Sequence, residues 1–182
     1  MLEEENNLIK GAKKGNQAYF GHLYDHYTPQ IYRFILLKVT EKSVAEDLTH
    51  DVFLSAWQNL RKYKPKGFPF SSWLYQIARN KIIDHYRTRK VHSDIDAIDE
   101  DLVKVVGVTE NDLERTLSME LIQKLIGELG PEQQDVLIMK FVEDLSHDDI
   151  AGILGKSVGS VRLIQYRAIQ ELRKLLKENG SR

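Results

Sequence analysis

Apolar residues recur along this chain at intervals of three and four, the repeat of one face of an α-helix. The strict alternation of a half-buried strand is absent, and glycines and prolines fall at boundaries rather than at hairpin spacing. The pattern predicts helices at about 4–14, 16–40, 43–61, 71–90, 117–129, 131–143, 147–154 and 158–177. Val44, Leu48, Val52 and Ala56 form one apolar row at spacing four, and Leu74, Ile77, Ala78, Ile82 and Ile83 form the set of the next helix. Local chemistry predicts the starts and stops. Ser43 with Glu46 reads as a capping box, and Ser71 or Ser72 as the cap of the following helix. Pro131 suits a first helical position, with Glu132 at the positive end of the dipole. Ser146 with Asp149 is a weaker box, Gly155 a left-handed C-cap and Ser157 the cap of the last helix.

Residues 91–116 lack a sustained helical stripe and read as a linker. The expected fold class is therefore all-α: two small helical domains, residues 1–90 and 117–182, joined by a flexible acidic linker. The composition, 42% hydrophobic and 29% charged, suits a folded globular protein. There are no cysteines, which excludes disulfides and thiolate metal sites. No stretch approaches the roughly 18 apolar residues of a membrane span, and the acidic N-terminus lacks a signal core. A cytoplasmic location and no membrane insertion are expected.

A net charge of −1 conceals strong patterning. Residues 61–90 carry nine basic side chains and one acidic, 91–117 eight acidic and two basic, and 156–182 seven basic and two acidic. Two basic blocks separated by an acidic connector point to a polyanion touched at two places.

In the C-terminal block, a short helix (HDDIAGIL), a tight turn (Gly155 to Ser157) and a longer helix follow the plan of a helix-turn-helix. Ile150, Ala151, Leu154, Val161, Ile164, Ala168 and Leu172 would form its core. The outer face would carry Lys156, Ser157, Ser160, Arg162, Leu163, Gln165, Tyr166 and Arg167, residue types that pair with base edges or hold phosphates. An ordinary helical hairpin with a solvated basic face meets the same pattern.

In the N-terminal block, Asp47 and Asp51 lie one turn apart beside Phe53 and Trp57. A loop with Lys62, Lys64, Lys66, Phe68 and Phe70 leads to a basic helix with Trp73, Arg79, Asn80, Lys81, Arg87 and Arg89. Rings interleaved with cations suit unstacked single-stranded bases; a core aromatic cluster with a basic rim suits the same residues.

These segments resemble a known family. AEDLTHDVFLSAW is similar to region 2.2 of sigma-70-type factors, FPFSSWLYQIARNKIIDHYR to region 2.3 and its surroundings, and ELGPEQQDVLIMKF through QELRK to region 4. Their order and spacing resemble the extracytoplasmic-function (ECF) group, which keeps only regions 2 and 4. The resemblance implies a non-enzymatic sigma factor that binds core RNA polymerase and directs it to promoters. Asp47, Asp51, Phe53 and Trp57 match the helix that binds the polymerase clamp. Lys62, Lys66, Phe68, Phe70, Trp73, Arg79, Asn80, Lys81 and Arg87 fall in the part that melts and captures the minus-ten element, the 62–72 loop taking a flipped base. Residues 157–167 match the minus-thirty-five recognition helix. Leu163, Ile164, Pro65 and Pro69 depart from the common pattern and bear on base preference.

No phosphate-binding glycine loop, cysteine nucleophile or serine elbow is present, and no cofactor is expected. His22 and His26 stand at i and i+4 near Asp25 without a third ligand motif. A one-component repressor or activator is the other function class the helix-turn-helix allows. It would need a ligand pocket in the N-terminal block, whose basic and aromatic character argues against one. Nothing reads as an autoinhibitory extension, so the clamp-binding face and both DNA faces are expected to be open by default. The resemblance implies control by an anti-sigma factor, through a helix packed between the domains.

Overall fold

The structure is a computed structural model that describes residues 3–65, 67–93 and 121–180. Lys66, and all of the linker after 93, lie outside the described residues. The N-terminal group is α1 (Glu3–Lys13), α2 (Gln17–Val39), α3 (Lys42–Asn59), a 3₁₀ turn (Leu60–Lys62) and α4 (Phe70–Ser93). The C-terminal group is α5 (121–127), α6 (Pro131–Leu137) continuing as a π-helical turn (Ile138–Val142), α7 (His147–Leu154) and α8 (Val158–Gly180). All elements among the described residues are helical.

The apolar rows become the core because each faces its neighbours. Val52 and Ala56 of α3 are fully buried with Ile31, Phe34 and Ile35 of α2 and Leu74, Tyr75 and Ala78 of α4. Phe34 meets Tyr75 edge to face at 5.3 Å, the favoured arrangement of ring quadrupoles. Val136, Ile138, Ile150, Val161 and Ala168 are fully buried in the C-terminal group. The apolar contacts run on between the groups, joining residues such as Ile31 and Tyr75 to Ile138 and Ile150.

Several expected caps form. Ser146 Oγ accepts the Asp149 N–H at 3.0 Å, and Ser157 Oγ accepts that of Ser160 at 3.2 Å. Gly155 sits at φ 63°, ψ 36°, the left-handed cap that lets α7 turn sharply into α8. Pro131 occupies the first turn of α6.

Two caps differ from expectation. The Glu41 carbonyl accepts the Ala45 N–H, so α3 starts at Lys42 and Ser43 lies inside its first turn. The Ser43 hydroxyl donates to the Glu41 carboxylate at 2.8 Å instead of capping. Helix α4 likewise starts at Phe70, which places Ser71 and Ser72 inside the helix, both buried. The Phe70 N–H donates to Glu5 Oε1 of α1 at 3.3 Å. Ile83 is 48% exposed rather than core, because the buried face of α4 runs through Ala78 and Ile82.

Glu5 ties three elements together. It is buried, receives the Phe70 amide, and bonds the Tyr27 hydroxyl, which burial and then the Glu5 charge hold above the ordinary tyrosine range. Glu5→Ala is expected to lower stability by about 1–3 kcal/mol, the cost of unsatisfied buried partners. Glu5→Gln, which keeps an acceptor, should lose less. Urea unfolding of both variants checks the order.

Candidate nucleic-acid and polymerase interfaces

Helix α8 presents Ser157, Ser160, Arg162, Leu163, Tyr166 and Arg167 to solvent, while Val161 and Ala168 on its other side are fully buried. The expected outer face is therefore brought together. Lys156 is half-buried and pairs with Glu132 at 3.1 Å, and Gln165 bonds the His147 ring at 2.6 Å, so these two are partly engaged within the protein.

On α3, Asp47 is exposed and Asp51 half-exposed, the latter 3.4 Å from Lys81 of α4. Phe53 is a correction: only 3% exposed, it packs edge to face on Tyr24 at 4.8 Å. Beside Val52 and Ala56 on the buried side of the helix, its ring reaches the surface only as the floor of a hollow. Trp57 is half-buried against Phe20 at 4.8 Å. Exposed Leu54, missed in the sequence reading, joins Trp57, Tyr24 and His50 around an apolar hollow of about 260 Å³. The available signal was Trp57 three residues on, which puts the two side chains on one face of α3.

The loop after α3 bounds a larger cavity of about 830 Å³, whose wall includes Lys62, Lys64, Phe68, Ser72, Trp73 and Gly152. Lys62 and Phe68 are exposed, whereas Phe70 is a second correction at 2% exposure. Its ring lies among Tyr27, Tyr63 and Trp73 at 5.2–5.6 Å, because α4 begins there and its first turn faces inward. Trp73 is half-buried, 4.8 Å from Tyr63. The Ser72 hydroxyl has no partner among the described residues. Lys13 donates to the Tyr63 carbonyl, so α1 also pins the base of this loop. Lys66 lies outside the described residues.

Along α4, Asn80 is exposed, and exposed Arg87 pairs with Asp84 at 3.1 Å. Arg79 is not free as expected: its Nε donates to Asp135 Oδ2 of α6 at 2.7 Å. Arg79 is therefore engaged by the C-terminal group, while Lys62, Phe68, Asn80 and Arg87 remain exposed. Asp135 also pairs with Lys38, whose ammonium burial pushes below its ordinary range, opposed by the Asp135 charge. The sequence reading did not single out Asp135. Its signal was an acid at the head of the apolar run Val136 to Met139. Among the described residues no cluster of three metal-ligating side chains occurs. Nor is any helix there long and apolar enough to cross a membrane.

Residues 23–91 match the family model for sigma-70 region 2, and residues 119–172 the one for sigma-70 region 4. The chain is 31% identical over 179 residues to the ECF RNA polymerase sigma factor SigW of Bacillus subtilis, covering 93% of this chain and 95% of that one. It belongs to the sigma-70 family, in its ECF group. It is also 32% identical over 174 residues to the ECF sigma factor BldN of Streptomyces coelicolor, covering 95% of this chain; it spans 66% of BldN's length. The fold is shared with RpoE of Bartonella quintana, solved with the anti-sigma factor NepR. There the TM-score is 0.71 at 24% identity, over 87% of this chain and 96% of that one. This ECF sigma factor thus acts with RNA polymerase in promoter-specific transcription initiation, and its family comprises regulatory initiation factors rather than catalysts.

Proposed function

We propose that residues 1–90 form the unit that binds core polymerase and opens the minus-ten element, that 91–116 link it to the next, and that 117–182 read the minus-thirty-five element. In this reading α8 enters the major groove, with Arg162 and Arg167 directed at bases or phosphates and Ser157 and Ser160 near the backbone. The 62–72 loop takes a flipped non-template base, with Phe68 and Trp73 as walls and Lys62, Lys66, Asn80, Lys81 and Arg87 along the strand. The observation that carries this is the cavity at the start of α4. It combines rings, lysines and the unpartnered Ser72 hydroxyl, the mix that an unstacked base requires. Transcription from supercoiled promoter DNA by purified core polymerase, with and without this chain, tests the reading as a whole. The chain works in the cytoplasm, contributes no chemistry of its own and needs no cofactor.

Polymerase is held through α3. Exposed Asp47 and half-exposed Asp51 steer the encounter with basic clamp helices, and Trp57 with Leu54 supplies apolar contact. Asp47→Arg is expected to weaken capture of core polymerase about tenfold, roughly 1.4 kcal/mol, with an unchanged circular-dichroism spectrum. Wild-type capture by the folded variant removes this face from the interface. Asp51→Arg should do the same and also release Lys81. An anti-sigma factor is a further partner in this reading, as NepR is for RpoE.

A further inference from the structure

Helix α8 turns an apolar side chain to water at the centre of its outward face. Val161 and Ala168 are fully buried and fix the inward side. At 3.6 residues per turn, Leu163 stands about 200° round from Val161, nearly opposite that side. Gly159, Leu163, Tyr166 and Gln170 share this outward ridge at helical spacing. Leu163 is 48% exposed and Tyr166 63%. Arg162 lies on one flank of the ridge, and Ser160 and Arg167 on the other, all exposed. No acidic residue occurs from 150 to 170. The ridge is an apolar strip bordered by cations, a surface for a polyanion that itself offers apolar atoms.

Gly159 is a second, independent observation. It holds the second position of α8, yet a Cβ there would meet only Ser157 Oγ, at 4.0 Å. Its φ lies outside the left-handed region, so neither packing nor backbone strain requires a glycine. Most other residues would favour the helix more. The missing side chain leaves clear space one turn ahead of Leu163, which lets the backbone approach a partner closely. The start of α8 is firmly held: Ser157 Oγ accepts the Ser160 N–H at 3.2 Å and bonds its hydroxyl at 2.9 Å.

In the major groove the apolar group on a base edge is the C5-methyl of thymine. We infer that Leu163 reads a thymine of the minus-thirty-five duplex through this methyl, with Gly159 letting α8 seat deeply enough for contact. This rests on the reading of α8 as the major-groove helix. Arg162 and Arg167 hold phosphates or base edges on either flank, and Leu163 between them shields the methyl from water. Cytosine at the same place has no methyl, and its amino group would lose water to the leucine without gaining an acceptor.

The test uses core polymerase with the full chain, and a duplex enriched by that holoenzyme from a random-sequence pool. Each thymine of the minus-thirty-five block is replaced singly by deoxyuridine, which removes the methyl and nothing else. Affinity is read by fluorescence anisotropy. At one thymine, uracil should weaken wild-type binding about fourfold, the value of one buried methyl group. Leu163→Ala changes an exposed position and keeps a helix former there. It should bind the parent duplex about fourfold more weakly or worse, and no longer distinguish the two bases at that position. Arg162→Ala should also bind more weakly but keep the distinction. Gly159→Leu should hold or raise the melting temperature, yet lose at least as much affinity as Leu163→Ala and erase the distinction. Three results overturn the proposal: a wild type blind to every thymine methyl or a block with no thymine on either strand, a Leu163→Ala protein that still distinguishes the bases, or a Gly159→Leu protein that binds as wild type does. Failure of the underlying reading looks different: the holoenzyme then enriches no minus-thirty-five block, and the proposal falls with it.

Discussion

Phe70→Ala is expected to cost about 3–5 kcal/mol of stability, the usual penalty for emptying a buried aromatic site. That is a large share of the roughly 5–15 kcal/mol that holds a typical domain folded. Phe70 is 2% exposed and touches three aromatic neighbours, so its cavity has little chance to collapse. Transcription should fail on duplex promoters and on promoters with a pre-opened minus-ten bubble alike. Phe68→Ala provides the contrast: its ring is 41% exposed, so the melting temperature should hold within a few degrees. An ATP-independent protein opens DNA only by binding the open form better. Extruding a base costs a few kcal/mol, and stacking on a protein ring returns about 1–3 kcal/mol. Without Phe68, backbone contacts from Lys62, Lys81 and Arg87 no longer close the difference. Activity should fall on duplex and recover on the bubble. Equal impairment on both templates would reduce Phe68 to strand capture, and an unimpaired variant would remove it from the site.

The second large effect is expected at α8. Arg162→Ala and Arg167→Ala should each weaken promoter binding by about 1–3 kcal/mol. The double variant should lose about thirtyfold or more if the two contacts are independent. Both arginines are exposed and neither holds the fold, so thermal unfolding should not change. Competition assays with promoter and unrelated duplex separate the roles. A base contact relaxes specificity at one position, whereas a phosphate contact lowers affinity for all sequences and reduces the salt dependence. Wild-type promoter affinity in the double variant would rule out α8 as the reading element.

Helical class, the order of the elements and the helix-turn-helix were legible in the linear pattern. Period, capping serines and a left-handed glycine act within a turn or two of chain, and Ser146, Gly155 and Ser157 do locally what their chemistry dictates. The exposed face of α8 followed from the same periodicity. The pattern was silent wherever a partner came from far along the chain. It offered Phe53 and Phe70 for contact because an aromatic residue suits a core or a surface equally, and only packing against Tyr24, Tyr27 and Tyr63 buries them. Serines stood next to the start of α4, yet the amide of Phe70 goes to Glu5, 65 positions earlier. Arg79 read as a free cation until Asp135, 56 positions later, was placed against it. Periodicity encodes which side of a helix avoids water; which distant helix covers that side depends on shape and charge matching in three dimensions, and here that matching sets Asp135 of α6 against Arg79 of α4.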